Sequence, residues 1–229
     1  MAMPILEDRE ENPAQDNVLV VMTHTIHLSI DIGMKNLGIF CVLVTWDTWE
    51  WVRVILLATF DICDGVETGG KECTSLIASN AVALMNSLTV IKPVTRLFIE
   101  EQFIATGKGS VFMQNNDARR LEAIFLGYFI TKKEAWKKYR IINGEEQDLV
   151  IYRVPNKIKL LRCPKQLRKN KPAYKEWTRQ QAIIDLREKF DEAASVIDCA
   201  DKGDDAGDAV MQYIEASKRI KEDSTKYLW

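Results

Sequence analysis

Apolar residues along the chain fall into two regimes. From Thr25 to Val44, two apolar runs (Ile26 to Ile30 and Leu37 to Val44) flank the turn Asp31-Ile32-Gly33-Met34-Lys35-Asn36, which predicts strand, tight turn, strand. Trp51 to Ile62 reads as a third strand, so this opening part predicts an antiparallel meander. Helical spacing then takes over. Glu72 to Val90 carries apolar residues at helical intervals and is stopped by Lys92-Pro93, after which Arg96 to Glu100 (RLFIE) is a short buried strand ending in a carboxylate. Asn116 to Lys133 predicts a long amphipathic helix and Leu149 to Val154 a further strand. Two helices close the chain, about Ala173 to Phe190 and about Asp204 to Ile220, separated by the acidic, glycine-punctuated stretch Asp191 to Gly203. This order predicts an α/β fold, a mixed sheet with an antiparallel edge and helices on its faces. Residues 1–22 read as a loose, flexible extension, and 23–229 as a single domain, since 229 residues suit one substantial core better than two.

Composition narrows the class. With 47% hydrophobic and 28% charged residues the chain is that of a globular protein, and no apolar run approaches the ~20 residues of a membrane helix. Cys41, Cys63, Cys73, Cys163 and Cys199 are odd in number and scattered, which suits free intracellular thiols rather than a zinc site or a disulfide scaffold. The N-terminal segment lacks the basic, then apolar, pattern of a secretory signal and the acid-poor character of a transit peptide. The net charge of -2 conceals a strong asymmetry: ten Lys or Arg lie between Arg153 and Arg179 against one acid, Glu176. Pro155, Pro164 and Pro172 interrupt this basic stretch, which predicts an exposed surface rather than one continuous helix. His24 and His27, with no acid or cysteine spaced around them, read as structural, and Trp46, Trp49 and Trp51 as packing at a turn rather than a base-stacking platform.

Three groups of acids carry candidate chemistry. Asp31 closes the first strand where the backbone turns, and Glu100 closes RLFIE in the same way. Asp205 and Asp208 are three apart at a helix start and therefore share a face. Each has an ordinary reading as turn residue, solvated strand end or helix cap. Taken together, carboxylates from separate elements are what a hard cation requires, because it needs several oxygens brought together.

The run His27-Leu28-Ser29-Ile30-Asp31-Ile32-Gly33-Met34-Lys35-Asn36-Leu37-Gly38 resembles the opening strand of the poxvirus-type and fungal mitochondrial Holliday-junction resolvases, relatives of bacterial RuvC. Leu97-Phe98-Ile99-Glu100-Glu101-Gln102 is similar to their Ile-Glu-x-Gln motif, and Asn115 to Phe129, with Gly127, to the helix after it. Asp204-Asp205-Ala206-Gly207-Asp208-Ala209 is similar to their closing Asp-Asp-x-x-Asp-Ala motif. The three motifs occur in order and span about Ile26 to Ile220. The resemblance implies a ribonuclease H-like mixed five-stranded sheet with helices on both faces. It also implies a metal site of Asp31, Glu100, Asp205 and Asp208, with Glu101 as the alternative to Glu100 and Asp204 as the alternative to Asp205.

The activity so implied is a structure-selective endonuclease that makes paired symmetric nicks in four-way DNA junctions and leaves 5′-phosphate ends. Two Mg²⁺ ions, with Mn²⁺ able to substitute, would be held ~4 Å apart with Asp31 bridging them. Lys35, Lys157, Lys159, Arg162, Lys165, Arg168, Lys169, Lys171 and Lys175 are the candidate phosphate contacts. A homodimer would match the two-fold symmetry of the junction. Leu121, Ile124, Phe125, Tyr128 and Phe129 are either its interface or ordinary core. The resemblance suggests an infected host cell, with the mitochondrion as the alternative. Two other readings stand beside it: a sugar-kinase or actin-like phosphotransferase, whose first phosphate turn Asp31-x-Gly33-x-x-Asn36-x-Gly38 resembles, and a non-catalytic module that binds branched DNA.

Overall fold

In the computed structural model, which describes residues 23–33, 35–63, 71–102, 110–200 and 203–229, the meander forms as the alternation of residues dictates. Strand β1 (His24–Asp31) pairs antiparallel with β2 (Leu37–Thr45), with Asp31 opposite Gly38. β2 in turn pairs antiparallel with β3 (Trp51–Phe60). After helix α1 (Lys71–Ser87), strand β4 (Val94–Glu101) enters parallel to the other side of β1, with Ile30 opposite Ile99. Helix α2 (Ser110–Lys132) and a small hairpin, β5 (Ile141–Ile142) with β6 (Glu145–Glu146), precede β7 (Val150–Pro155), which lies parallel to β4. Helices α3 (Lys171–Arg187), α4 (Asp191–Cys199) and α5 (Gly203–Glu222) complete the chain. The sheet order is β3-β2-β1-β4-β7, a mixed five-stranded sheet. Its β7 edge is covered by the C-terminal residues: Arg153 donates its backbone N–H to Tyr227, and Trp229 donates to Ile151.

Successive residues of a strand face opposite sides, and the two sides bury two separate cores. Leu28, Ile30, Leu97 and Ile99 face α1 and α2 and meet Ile77, Met85, Leu121, Phe125 and Phe129. Phe40, Val42, Phe98, Tyr152 and Val154 face α3, α4 and α5 and meet Ile183, Leu186, Ile197, Val210 and Tyr213. Leu121, Phe125, Tyr128 and Phe129 are buried within this chain and Ile124 is half-buried against the same core, so all five pack internally. The outward positions of that helix include Arg119, Arg120, Ala123 and Ile130. The tryptophans also pack internally: Trp51 stacks on Phe190, Trp49 meets His27 edge-on, and the Arg96 guanidinium lies over Trp46 and Trp49. His27 donates to or accepts from the Tyr213 hydroxyl at 2.9 Å, and its burial holds its pKa well below the ordinary value.

Two segments differ from the sequence reading. Asp191 to Gly203, read as an acidic stretch between two helices, itself contains α4: its acids sit in the first helical turn, where the helix dipole favours them, and Ala194 and Ile197 are buried in the core. The basic stretch is interrupted and mostly exposed, as its prolines predict, with Lys157, Arg162, Lys165, Arg168, Lys169 and Lys171 on the surface, but Lys159 departs from that expectation. Asn156–Leu161 is a 3-10 helix that buries Ile158 and Lys159. Asn170 then caps α3, its side chain accepting from the Ala173 N–H at 3.3 Å, and Pro172 starts that helix in the first-turn position where proline costs no hydrogen bond. The extension at residues 1–22, Cys73's side chain and Met34 lie outside the described residues. No disulfide forms among the described cysteines. No helix of the described residues is long and apolar enough to cross a membrane.

Candidate metal centre

The face of β1 that meets α5 is polar yet buried: His27, Ser29 and Asp31 all point there, with Phe98 and Glu100 of β4 beside them. Helix α5 is held over this stripe by Gln212, whose amide donates to the Ser29 hydroxyl at 3.2 Å and to the carbonyls of Ile30 at 3.1 Å and Phe98 at 3.4 Å. Asp208 stands four residues before Gln212 and Asp205 three earlier still, so the same helical face that carries Gln212 turns both acids toward the ends of β1 and β4. Gly38 permits the approach. A Cβ there would run into the Asp205 carbonyl oxygen and lie 3.4 Å from the Ala209 side chain. Gly38→Ala is therefore expected to cost about 1–3 kcal/mol by forcing the first turn of α5 off the sheet, read by urea unfolding. An unchanged midpoint would show that this turn yields freely.

One oxygen from each of Asp31, Asp205 and Asp208 can be chosen so that all lie within 4.8 Å of one another. Glu100 joins through a shared cation. The Lys159 ammonium donates to Asp31 Oδ1 at 2.6 Å and lies 3.4 Å from Glu100 Oε1 and 3.5 Å from Asp208 Oδ2. Gln102 Nε2 donates to the other Glu100 oxygen at 2.5 Å. Lys175, from α3, holds Asp204 at 2.5 Å and Asp205 at 3.0 Å. Asp31, Glu100, Asp205, Asp208 and Lys159 are all buried, at 5–8% exposure.

Burial and mutual repulsion set the protonation. Burial, followed by the Asp31 charge, pushes Glu100 up to about 7 against the pull of Lys159 and Gln102. Burial likewise raises Asp208 to about 7, with Lys159 opposing and Asp31 adding. Burial raises Asp205 too, against its contacts with Lys175. Burial disfavours the Lys159 charge, but Asp208, Asp31 and Glu100 outweigh it and hold that pKa well above the ordinary value.

The donor set fits a hard divalent cation. All donors are carboxylate oxygens, the ligands of Mg²⁺ or Mn²⁺ rather than of zinc, and Asp208 Oδ1 is buried with no hydrogen-bond partner among the described residues. The site carries more buried negative charge than Lys159 and Lys175 neutralise, which is the condition under which a bound dication is favoured.

Of the two alternative ligands, Glu101 lies on the opposite face of β4, where it pairs with Arg153 at 3.6 Å, and Asp204 is taken by Lys175. Lys159, Arg162, Arg168 and Lys175, all expected as phosphate contacts, are engaged within the chain. Lys159 is inside the acid cluster, not on the surface, because the 3-10 helix turns it inward between Ile158 and Leu160. Arg162 forms a bidentate pair with Asp185, Arg168 donates to the carbonyls of Cys163 and Leu161, and Lys175 is engaged by the α5 acids. Lys35, Lys157, Lys165, Lys169 and Lys171 are exposed. Sequence reasoning did not single out Gln212, or Lys159 as a member of the acid cluster. The one signal for Gln212 was a lone polar residue within the apolar run Val210 to Ile214, and Lys159, among nine other cations, carried none.

No protein-family model matches the sequence, and no curated protein matches it. Solved structures do. The yeast mitochondrial Holliday junction resolvase Ydc2 is 14% identical with a TM-score of 0.53, over 86% of this chain and 80% of that one. The fowlpox virus resolvase, solved with substrate Holliday junction DNA, is 13% identical with a TM-score of 0.51, over 86% of this chain and 99% of that one. At such identities the likeness speaks for architecture: this chain has the ribonuclease H-like fold that these resolvases have.

Proposed function

We propose that this protein is a divalent-metal-dependent endonuclease that resolves four-way DNA junctions by paired symmetric nicks. The observation that carries the reading is the convergence of Asp31, Glu100, Asp205 and Asp208, from three separate parts of the chain, on one buried point at the strand ends. Asp31, Asp205, Asp208 and Glu100 would hold two Mg²⁺ or Mn²⁺ ions. Such a pair supplies an activated water and neutralises charge on the leaving 3′ oxygen. The residues themselves set the geometry: Gln212 ties α5 to β1, Gly38 lets the first turn of α5 approach β2, Gln102 turns Glu100, and Lys175 restrains Asp205. Two resolvases share the fold, and the one from fowlpox was solved with substrate Holliday junction DNA, which supports a branched-DNA substrate. A homodimer would supply two sites for the two nicks. The setting proposed is an infected host cell, for which the fowlpox neighbour is the support, with the mitochondrion, suggested by the yeast neighbour, as the alternative.

Lys35, Lys157, Lys165, Lys169 and Lys171 form the DNA-facing set, since their side chains are exposed. Replacing Lys165, Lys169 and Lys171 together by Gln is expected to weaken junction binding uniformly across sequences. The slope of log affinity against log salt would flatten by up to ~2.7, about 0.9 for each phosphate no longer neutralised. An unchanged slope would place the DNA elsewhere.

One observation favours a second reading, a junction-binding module without catalysis: Lys159 already compensates part of the acid cluster. Incubating the wild-type protein with a synthetic four-way junction and a matched linear duplex, in Mg²⁺ or EDTA, separates the two. Symmetric nicks in the junction alone, abolished by EDTA, establish the resolvase. Tight metal-independent binding without nicking establishes the module, and equal cutting of the duplex a general nuclease.

A further inference from the structure

Beyond the acids, the structure contains a clamp on the far side of β4 that no part of the proposed reaction yet uses. Pairing between β4 and β1 ends at Ile99, and β4 leaves the sheet after Glu101. The next backbone N–H, that of Gln102, has no strand to pair with, and it donates instead to Glu122 Oε2 of α2 at 3.0 Å. The other Glu122 oxygen accepts from Arg153 of β7, at 2.7 Å from Nε and 2.6 Å from Nη2. Glu122 is thus a buried carboxylate with three donors, joining a helix, the exit of β4 and the neighbouring strand. Gln102, whose backbone is held this way, turns its side chain back to the opposite face and donates to Glu100.

We infer that Glu122 is a positioning residue for Glu100, acting through Gln102: it fixes the backbone from which the amide holds the Glu100 carboxylate toward Lys159 and the acid cluster, where it would serve as a metal ligand. An ordinary helix-to-sheet ion pair would need only Arg153. What singles Glu122 out is that its second oxygen accepts from the backbone N–H of Gln102, the residue whose side chain holds Glu100. The inference deepens the metal-dependent reading above and rests on it. Glu122→Gln is a stringent change, because a carboxamide has one acceptor oxygen. Whichever way it is turned, its NH₂ faces a donor, either the Gln102 N–H or Arg153.

The test is Mn²⁺ binding to the DNA-free protein by calorimetry, with junction cleavage measured in parallel, for wild type, Glu122→Gln, Gln102→Met and the double variant. Each single change is expected to weaken Mn²⁺ binding about 10- to 100-fold, the range for losing a group that orients a metal ligand. The double variant should be no weaker than the worse single, since both break one chain of contacts. Wild-type affinity in folded Glu122→Gln, or additive losses in the double variant, would overturn the inference. Should Glu122→Gln fail to fold, Gln102→Met decides by itself: wild-type Mn²⁺ affinity in that variant is equally fatal. Mn²⁺ bound by the wild type and lost in the variants, with no junction cleavage by any of them, would leave the inference standing and sink the nuclease reading. Weakened cleavage with unchanged Mn²⁺ affinity would do the reverse.

Discussion

Asp31→Asn is expected to lower the rate of junction cleavage about 10³-fold or more while leaving junction binding and folding intact. Asp31 occupies the centre of the site. It receives the shortest Lys159 contact, it joins Asp205 and Asp208 in a set of oxygens lying within 4.8 Å of one another, and its charge raises Glu100, Asp205 and Asp208 alike. Asparagine keeps the shape but removes the charge, and the electrostatic contribution of a bound metal to a phosphoryl transition state amounts to several kcal/mol, at about 1.36 kcal/mol per factor of ten. Stability should move the other way. The Asp31 charge is one of the groups that push Glu100 and Asp208 up, so its loss relieves repulsion inside the cluster. Thermal unfolding at about pH 7.5 without divalent ions is expected to show a midpoint equal to or above that of wild type, the usual trade between a strained site and its function. A fall of several degrees would mean that Asp31 holds the fold, and then the loss of activity would say nothing about chemistry.

The way these residues assemble explains what the sequence made legible. Period-2 burial along β1 and β4 marks which residues share a face, so Asp31 and Glu100 could be put on strand ends from alternation alone, and Asp205 with Asp208 on one helical face from their spacing. The pleat also decides between Glu100 and Glu101, once β4 is known to run on to Glu101 opposite Pro155. Lys159 could not be placed in this way. A lysine among nine other cations reads as surface, and only the 3-10 turn after Pro155, together with acids distant in sequence such as Asp31, draws it inward. The same limit applies to Arg162 and Arg168, whose partners Asp185 and the carbonyls of Cys163 and Leu161 exist only once the turn into α3 is formed. Helix α4 was obscured for a different reason: its acids resemble a solvated linker, while the burial that stabilises it falls on just Ala194 and Ile197.

Lys159→Met is expected to destabilise the metal-free protein by about 3–5 kcal/mol at pH 8, the cost of leaving buried charge without its partner. For a chain of this size that lowers the unfolding midpoint by ~6–20 °C, at about 2–4 °C per kcal/mol. Methionine retains most of the apolar stem, so the change reports the ammonium. The pH dependence follows from the carboxylates. Glu100 and Asp208 are raised in the folded state to about 7, above their ordinary values, so the unfolded chain releases these protons first as pH rises. Between the ordinary carboxylate range and about 7, the folded state therefore binds more protons than the unfolded one and loses stability with rising pH. Lys159 pulls both groups down, and removing it extends that window upward. The deficit of the variant should be small near pH 5, where these acids stay protonated in the fold, and largest at pH 8. Millimolar Mg²⁺ should restore much of it, because a cation held by Asp31, Asp205 and Asp208 takes over the compensation and binds only the folded chain. Equal losses at pH 5 and pH 8, unaffected by Mg²⁺, would mean that Lys159 contributes packing alone and that the carboxylate cluster needs no cation.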